Sequence, residues 1–557
     1  MTTLTAPLPS EEPIIPSRHP LAPLFDVGTV RARSLQVLRS VEQDLSASFK
    51  LDAEALSGLA RRVATLLAAT GPGATASPPF WSAPLWQHLQ AGGIDRMAEL
   101  DSLLAAQPAE ERARAWLDLA VLGVLLSADP GPRWRCTEQS ALPTAAFAQG
   151  TPDELLAMLD RAGKTAPGLA AARRVDDPAA AGRGDDPAAA ARVDDPAAAA
   201  RGDDPAAAGT VAEPAAAAAE PSGAVAADAA RPLSTPASAA ATYGGPEGLA
   251  VAAFRAFVAG AFSADKGRPC RVDAGTLRHI DVAAVRAMLQ GTPQNPVQGL
   301  EGRATVLSRL GQLLQALPGA GGAGARPCDL VQTLTAASII DTEVQTARLL
   351  SELLRKLAPL WPAAPVQGLP GGDIWLHRWA GEAVGAGSPA DAAGHGSNSS
   401  SSSSLTPSSS AAPKDLGTGG WVPLHAMGQS LLAALALPLQ HSGHTLAGLQ
   451  ELTAIADQPT SALLLAAGVV VPRQPRLLSL SLKLGDEAVI ECRTLTVALF
   501  DELTRQVHAL LQHSRGASPA RPPGVNLSVA RVVQATAAVL AGGGAPTLRI
   551  EGDGALF

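Results

Sequence analysis

The sequence has few aromatic residues and no dense run of basic residues. Aromatic side chains make up 3% of the 557 residues, and 43 Lys and Arg are outnumbered by 51 Asp and Glu, for a formal net charge of −8. Nonspecific binding to nucleic acid or to an anionic membrane requires a basic surface. We therefore expect neither a nucleic-acid partner nor a membrane partner.

Paired cysteines and long apolar runs are also lacking. The four cysteines lie far apart with no Cys-x-x-Cys pair, and the first residues show no signal pattern of basic and apolar residues. The longest apolar run, Leu431–Leu439, contains Pro438 and is much shorter than the roughly 20 residues of a membrane span. These features predict a cytoplasmic protein in a reducing compartment.

Motifs of common cofactor and metal sites are missing as well. The sequence contains no P-loop, Rossmann fingerprint, HExxH, GxSxG or Cys/His zinc pattern. His441 and His444 form a His-x-x-His pair, but such a pair without a third ligand nearby is more often a surface feature than a metal site. We predict no cofactor and no metal.

Two stretches of biased composition interrupt the chain. Residues 140–242 are rich in Ala, Pro and Asp with a repeated DDP unit, and residues 387–420 are rich in Ser and Gly. Such stretches bury too little apolar surface to fold, so both are predicted to be disordered insertions, and residues 1–24 a disordered N-terminus. The remaining sequence is predicted to form a single discontinuous, mainly α-helical domain in three parts, residues 25–139, 243–386 and 421–557.

Apolar residues recur with a helical period in several segments. The predicted helices include Gly244–Phe262, with Pro246 in its first turn, Leu300–Leu317, and a helix that begins near Pro108. A further predicted helix carries one apolar stripe made of Leu495, Leu499, Leu503, Val507 and Leu511.

Acidic residues adjoin these apolar segments. Glu491 lies one turn before Leu495 on the same stripe, so its carboxylate is predicted to face the core as a buried polar anchor with Arg493 nearby. Asp457 falls in a loop between two apolar segments, where reactive groups are often placed. Asp373 follows two glycines and could simply cap a helix that starts at the next residue.

Nine blocks of the sequence, in order, resemble the uracil catabolism protein 4 family. They include PLWQHLQAGGIDR, RWRCTE, GGPEGLAVAAFRAFVAGAFS, GGDIWLH, WVPLHAMGQSLLAAL and ECRTLTVALFDEL. The resemblance implies a role in pyrimidine degradation, with other uracil-catabolism enzymes as partners. Polar and aromatic residues of these blocks are the predicted substrate-binding residues: Trp86, His88, Trp134, Arg135, Glu247, Phe254, Asp373, His425 and Arg493. All of them except Phe254 are expected to approach one cleft, together with Asp457 and Glu491.

A more distant resemblance concerns the queuosine-salvage nucleosidases. It rests on the segment LTAIAD followed by an apolar stretch, and on the Glu-x-Arg at Glu491 that opens a helix. That resemblance implies a DNA-glycosylase-like helical fold and hydrolysis of an N-glycosidic bond, with Asp457 in the position of the catalytic Asp. Gln458 and Pro459 follow Asp457 here, where the related sequences tend to have an aromatic residue and Arg.

These resemblances imply a division of roles among the catalytic candidates. Asp457 would stabilise the cation-like sugar and orient water, and Glu491 would donate a proton to the leaving nitrogen. Alternatively, Arg493 neutralises Glu491, which is then structural, and His425 is the next candidate donor. The remaining expectations are stacking of a base or urea on Trp134 and Phe254, and a 5′-phosphate held by Arg135.

Three functions are compatible with these features. The first is a hydrolase of a small ribosylated pyrimidine or urea derivative, or of a nucleoside 5′-phosphate. The second is a non-catalytic scaffold or intermediate-binding protein of the same pathway. The third, a nucleic-acid glycosylase, is disfavoured by the acidic net charge of −8.

Overall fold

The computed structural model describes residues 19–69, 84–138, 241–317, 322–361, 371–380, 419–514, 527–541 and 546–556. All of these residues belong to one compact unit, formed by Met1–Ala172 and Ala240–Phe557. The predicted disordered insertions lie outside the described residues except at their last two positions. Ordered structure starts before residue 25, because Ala22–Phe25 forms a 3-10 helix with Leu24 and Phe25 buried.

Helices dominate the described chain, as predicted. They are α1 (Val27–Glu42), α2 (Ala53–Ala69), α3 (Pro84–His88), α4 (Arg96–Leu103), α5 (Ala109–Leu125), α6 (Gly245–Val258), α7 (Ala274–Arg278), α8 (Val282–Met288), α9 (Leu300–Gln315), α10 (Pro327–Ala337), α11 (Thr346–Leu357), α12 (Ala426–His441), α13 (Gln458–Ala466), α14 (Glu487–Ser514) and α15 (Val529–Leu540).

Short strands link the helices in small ladders. They are β1 (Phe49–Leu51), β2 (Arg135–Glu138), β3 (Ala241–Gly244), β4 (Ile339–Ile340), β5 (Glu343–Gln345), β6 (Ile374–Leu376), β7 (Trp421–Pro423), β8 (Thr445–Ala447), β9 (Val470–Pro472), β10 (Ser481–Lys483) and β11 (Arg549–Glu551). The pairs β1–β9, β2–β3, β4–β5 and β6–β7 are antiparallel, whereas β5–β8 and β10–β11 are parallel.

The helical periodicity of the sequence corresponds to burial in the fold. In α14, Leu495, Leu499, Leu503 and Val507 are all buried, which confirms the predicted apolar stripe. Helix α5 begins directly after Pro108, and α6 has a proline in its first turn. Backbone N–H groups in the first turn of a helix have no intrahelical acceptor, so a proline there removes no hydrogen bond.

Two large apolar clusters form the core. The first brings together α5, α6, α9, α11 and α12, and the second packs α2, α13 and α15 around the stripe of α14. A third, small cluster contains Val422, Leu424, Ala456 and Val497. It joins α1 and α14 to β7 and therefore surrounds the segments that carry the charged residues described below.

Helix α12 is apolar on nearly all sides, and it is buried within the first cluster, as such helices usually are. In the part of the chain that the structure describes, no helix is both long enough and apolar enough to span a lipid bilayer.

Candidate functional site

Helix α14 carries two charged side chains into the interior, Glu491 and Arg493, and each residue is 1% exposed. Strand β6 is bracketed by Asp373 and His377, which are also buried. Asp373 faces Arg493, and His377 faces Glu491. The two ends of one short strand thus meet Glu491 and Arg493, the buried charged residues near the start of α14.

Asp373 and Arg493 form a two-pronged ion pair. Arg493 Nη1 donates to Oδ1 at 2.9 Å and Nη2 donates to Oδ2 at 2.5 Å, a geometry that fixes both side chains. Arg493 Nε donates to the carbonyl of Ala456 at 2.8 Å. Burial works to raise the pKa of Asp373, but the charge and hydrogen bonds of Arg493 outweigh it and hold the pKa below its usual value. Asp373 is therefore ionised.

The same carboxylate caps a helix, although not the one expected. Asp373 Oδ2 accepts from the backbone N–H of Ala426 at 2.9 Å, at the start of α12, and Oδ1 accepts from Trp375 Nε1 at 2.6 Å. The alternative that Asp373 caps a helix starting at Ile374 is wrong, because Ile374 begins β6, which pairs with β7.

His425 lies immediately before α12 in a left-handed backbone conformation, with φ 52°. Such a conformation costs a non-glycine residue about 1–3 kcal/mol. His425 Nε2 lies 2.7 Å from the carbonyl of Leu24, and the ring stacks on Phe25. Burial lowers the pKa of His425, against the raising effects of the Leu24 carbonyl and Asp373. The neutral ring therefore donates its Nε2–H to Leu24, and proton donation to a substrate would require breaking this bond.

Asp457 is half-buried at the N-terminus of α13. Its Oδ1 accepts from the backbone N–H of Thr460 at 2.8 Å, so the carboxylate is the N-cap of the helix. Burial raises the pKa of Asp457, and the hydrogen bonds of Thr460 and the charge of Arg493 offset part of this rise. The carboxyl group thus lies within the electrostatic field of Arg493.

Glu491 has a hydrogen-bond donor at one of its two carboxylate oxygens. Ser46, in the loop after α1, donates its hydroxyl to Oε1. Burial raises the pKa of Glu491 to about 7, although the Ser46 hydrogen bond acts to lower it. A carboxyl group with this pKa can give or take a proton near neutral pH.

His377 is not among the residues predicted from the sequence. Its side chain is fully buried, and Nε2 lies 4.0 Å from Glu491 Oε2. The block GGDIWLH contains this histidine four residues after Asp373, but nothing in the sequence indicates that it would meet a helix more than 100 residues further along.

A small cavity adjoins Arg493. It is lined by Gln458, Ser461, Leu465, Cys492, Arg493, Thr547, Leu548 and Ile550. Its free volume is about 10 Å³, which is enough for about one water molecule. Gln458 Nε2 donates to the carbonyl of Leu548 at 2.7 Å and so ties the C-terminal segment over the cavity.

Three predicted aromatic residues lie elsewhere, inside the first core cluster. Trp86 Nε1 donates to the carbonyl of Ala434 at 3.0 Å, and Trp134 Nε1 donates to the carbonyl of Leu289 at 2.7 Å. Phe254 is 0% exposed. Ala434 is eight residues along α12 from the end capped by Asp373, a distance of about 12 Å at helical rise. Stacking of a substrate on these rings would require the core to open.

The predicted polar residues of this region lie nearer the surface. Glu247 and Arg135 are exposed, and His88 is half-buried. Burial lowers the pKa of His88, and the charge of Glu247 acts to raise it. Arg135 Nη1 donates to the carbonyls of Pro132 at 2.9 Å and Trp134 at 2.6 Å. The prediction that all the selected residues share one cleft stays a prediction.

A second buried charged cluster, which was not predicted, is centred on Glu138. Arg96 Nε and Arg255 Nε donate to Oε1 at 3.0 Å and 2.5 Å, and Arg96 Nη2 also donates to Oε2. Arg255 binds Glu99 as well. Burial acts to lower the pKa of Arg96, but Glu138 outweighs it and raises the pKa.

Within the described ranges, no group of three or more His, Cys, Asp or Glu side chains is arranged to hold a metal ion. The titratable groups around the Asp373–Arg493 pair can give and take protons. They comprise one ionised carboxylate, two carboxyl groups with raised pKa values and two neutral histidines.

The chain belongs to the family described as Protein of unknown function (DUF1688), which it matches over residues 23–150 and 227–551. It is 37% identical over 134 residues to Protein urg3 of Schizosaccharomyces pombe, covering 24% of this chain and 32% of that protein. It is 26% identical over 289 residues to Uracil catabolism protein 4 of Lachancea kluyveri, covering 48% of this chain and 60% of the relative. The matches thus span less than two thirds of either relative, and the predicted resemblance to this family is confirmed.

Proposed function

We propose that this chain acts in uracil catabolism and hydrolyses the N-glycosidic bond of a ribosylated intermediate of pyrimidine breakdown. The pathway is suggested by the name of its relative Uracil catabolism protein 4. The observation that carries the reaction is a pair of acidic side chains with raised pKa values, Asp457 within the field of Arg493 and Glu491 on the same helix as Arg493. Similarity to queuosine-salvage nucleosidases, a DNA-glycosylase-like fold and a cytoplasmic location stay predictions.

Two carboxyl groups are the usual minimum for glycoside hydrolysis. Water attacks the anomeric carbon, and the electron pair of the breaking C–N bond passes to the leaving nitrogen. Asp457 orients the water, accepts its proton and stabilises the cation-like sugar. Glu491 supplies the proton that the nitrogen requires. Arg493 is bound to Asp373 in a two-pronged pair, so its charge is largely compensated by a carboxylate other than Glu491.

A non-catalytic role as an intermediate-binding or scaffold protein of the same pathway is the second candidate. It is favoured by two observations at the site. The cavity beside Arg493 has a free volume of only about 10 Å³, and the Asp457 carboxylate is already engaged as a helix cap. Under this function, other enzymes of uracil catabolism are the partners.

Product analysis separates the two functions. Purified protein is incubated with ribosylurea, ribosylurea 5′-phosphate and uridine 5′-monophosphate, and released urea, uracil and sugar are measured. Release of urea or uracil with wild-type protein supports the hydrolase. Binding of any of the three compounds without product supports the scaffold, and neither binding nor product contradicts both.

Asp457→Asn tests the assigned residue. Asn caps helices as well as Asp does, so the fold is retained while the charge is lost, and turnover should fall at least about a hundredfold. Asp281→Asn is the matched control, because Asp281 caps α8 through Ala284 at 2.8 Å far along the chain from these residues. Wild-type turnover in Asp457→Asn would remove Asp457 from the mechanism.

A further inference from the structure

His377 Nε2 is a buried polar atom without a hydrogen-bond partner among the described residues. The side chain is 0% exposed, and Nε2 points towards Glu491 Oε2 across 4.0 Å. That separation is too long for a hydrogen bond. A buried N–H with no acceptor is unfavourable, and such groups in native proteins are usually satisfied by an ordered water.

The hydrogen on the His377 ring can be placed from its other nitrogen. The backbone N–H of Trp379 donates to His377 Nδ1 at 3.3 Å. A backbone N–H is always a donor, so Nδ1 must be an acceptor without a hydrogen. Burial lowers the pKa of His377 and so opposes a second proton on the ring. The neutral ring therefore carries its hydrogen on Nε2, facing Glu491.

The proton of Glu491 can be placed in the same way. Ser46 Oγ accepts from the backbone N–H groups of Ser48 at 3.0 Å and Phe49 at 2.9 Å. Both acceptor positions of this hydroxyl are filled, and its own hydrogen is donated to Glu491 Oε1. Oε2 is thus the oxygen that takes the proton of Glu491, and it faces His377 Nε2.

We propose that His377 is a positioning residue for Glu491, and that the two side chains hold one water molecule between Nε2 and Oε2. The water accepts from the Nε2–H and donates to the ionised carboxylate, so both groups are satisfied. When Glu491 takes up its proton at Oε2, the water turns to accept from both. His377 and the water thereby set how readily Glu491 is protonated. This role rests on the proposed hydrolase, in which Glu491 is the acid.

Other charged groups near Glu491 stay in place when His377 is changed. Glu487, one turn earlier on α14, raises the pKa of Glu491, whereas Arg378 and Arg473 lower it. Arg378 binds Glu487, and Arg473 binds Asp44. Because His377 also titrates in the unfolded state, its loss changes the pH dependence of unfolding by itself. His377→Phe and His377→Gln both lack the imidazole, so a difference between these two variants is due to the N–H donor and the water.

The test follows the titration of Glu491 through the pH dependence of unfolding and needs no substrate. In wild type, Glu491 stabilises the fold at low pH, and this contribution is lost as pH rises towards the folded pKa of about 7. Urea denaturation from pH 4 to 9 locates the end of this decline, and Glu491→Gln serves as the reference without it. In His377→Phe the decline should extend about one pH unit higher, because the ionised carboxylate loses the N–H that supports the proposed water at Oε2.

His377→Gln retains an N–H donor and should keep the decline near its wild-type position. His441→Phe is the control for the same substitution at an exposed histidine. Identical pH profiles for His377→Phe and His377→Gln would overturn the proposal. If His377→Phe does not fold, nitrogen NMR of labelled histidine in the wild-type protein decides: a neutral ring with hydrogen on Nε2 supports the pairing, and any other form contradicts it.

The two proposals fail in different ways. Absence of product from the ribosylated compounds overturns the hydrolase and leaves the unfolding titration interpretable. The same titration in His377→Phe and His377→Gln overturns the positioning role while hydrolysis can still be observed. In an active enzyme, the high-pH limb of turnover should move upward in His377→Phe by the same amount as the stability decline.

Discussion

Two of the buried charged clusters of the described chain, those around Glu138 and Glu491, differ in how completely their polar groups are satisfied. In the cluster around Glu138, each carboxylate oxygen accepts from a guanidinium group, and Arg96 donates also to the carbonyls of Leu89 at 3.0 Å and Ala91 at 2.9 Å. In the cluster around Glu491, one carboxylate oxygen has a hydroxyl donor and the other faces His377 across 4.0 Å.

This difference reverses the effect of burial on the two glutamates. Burial acts to raise the pKa of both, but Arg96 and Arg255 outweigh it at Glu138 and lower the pKa there. At Glu491 burial prevails, and the pKa reaches about 7. Glu138 therefore keeps a fixed charge, as a structural ion pair does, whereas Glu491 can change its protonation state near neutral pH.

The largest expected effect comes from breaking the cluster around Glu138. Glu138→Leu leaves Arg96, which is 0% exposed, without its carboxylate partner, and loss of one member of a buried pair costs about 3–5 kcal/mol. Urea denaturation at neutral pH measures the free energy of unfolding. Arg268→Ala, which breaks the exposed pair with Asp265, should leave this free energy unchanged within error.

If Glu138→Leu is as stable as Arg268→Ala, the cluster around Glu138 is not a structural ion pair. The structural role that distinguishes this cluster from the one around Glu491 would then be wrong.

The second prediction concerns the sign of the pH effect at Glu491. With the pKa raised from 4.5 to about 7, ionisation of Glu491 opposes folding above pH 7, by about 3 kcal/mol at most. Glu491→Gln removes this ionisation, so the variant should be more stable than wild type at pH 8 and similar to it at pH 4. Thermal or urea unfolding at both pH values measures the difference.

Glu138→Gln is the matched variant for this test. Because the pKa of Glu138 is lowered in the fold, its ionised form stabilises the protein above the unfolded pKa, and that contribution is lost as pH falls. Glu138→Gln should therefore be less stable than wild type at pH 8. Changes of the same sign in both variants would contradict the distinction between the two glutamates.

Sequence periodicity predicted the helices well because each carries its own signal. The stripe of α14 and the proline-marked starts of α5 and α6 are visible within single segments. Strands such as β6 contain three residues, which is too short for an alternating pattern to be recognised. For this reason the sequence suggests a helix directly after Asp373, where the structure has β6.

The candidate site was predictable only in part. The burial of Glu491 follows from its position on the α14 stripe. Side chains two residues apart on a helix do not face each other, so the spacing in sequence does not pair Glu491 with Arg493. The pairing of Arg493 with Asp373 joins residues 120 apart, and that of Glu491 with His377 depends on the same strand. Such contacts arise from tertiary packing, for which one sequence holds no local signal.

The third and smallest expected effect compares local opening of the two clusters. Cys136 lies in β2 beside Glu138, and Cys492 lies next to Glu491 and lines the cavity beside Arg493. Both thiols are buried in the fold, so each reacts when its region opens. Differences in alkylation rate between variants with only one of these thiols therefore report how often each region opens.

Cys492 should be alkylated faster, because the segment over its cavity is held by the three-residue ladder β10–β11 and the Gln458–Leu548 hydrogen bond. The ladder β2–β3 that contains Cys136 is also two-stranded, but it has four residue pairs and is anchored through Glu138 by Arg96 and Arg255. A tenfold difference in rate corresponds to about 1.4 kcal/mol less free energy of opening. Gln458→Ala removes that hydrogen bond and should accelerate Cys492 further without affecting Cys136. Equal rates for both thiols would mean that the cavity beside Arg493 opens no more readily than the Glu138 cluster, which would leave the two regions alike in local stability.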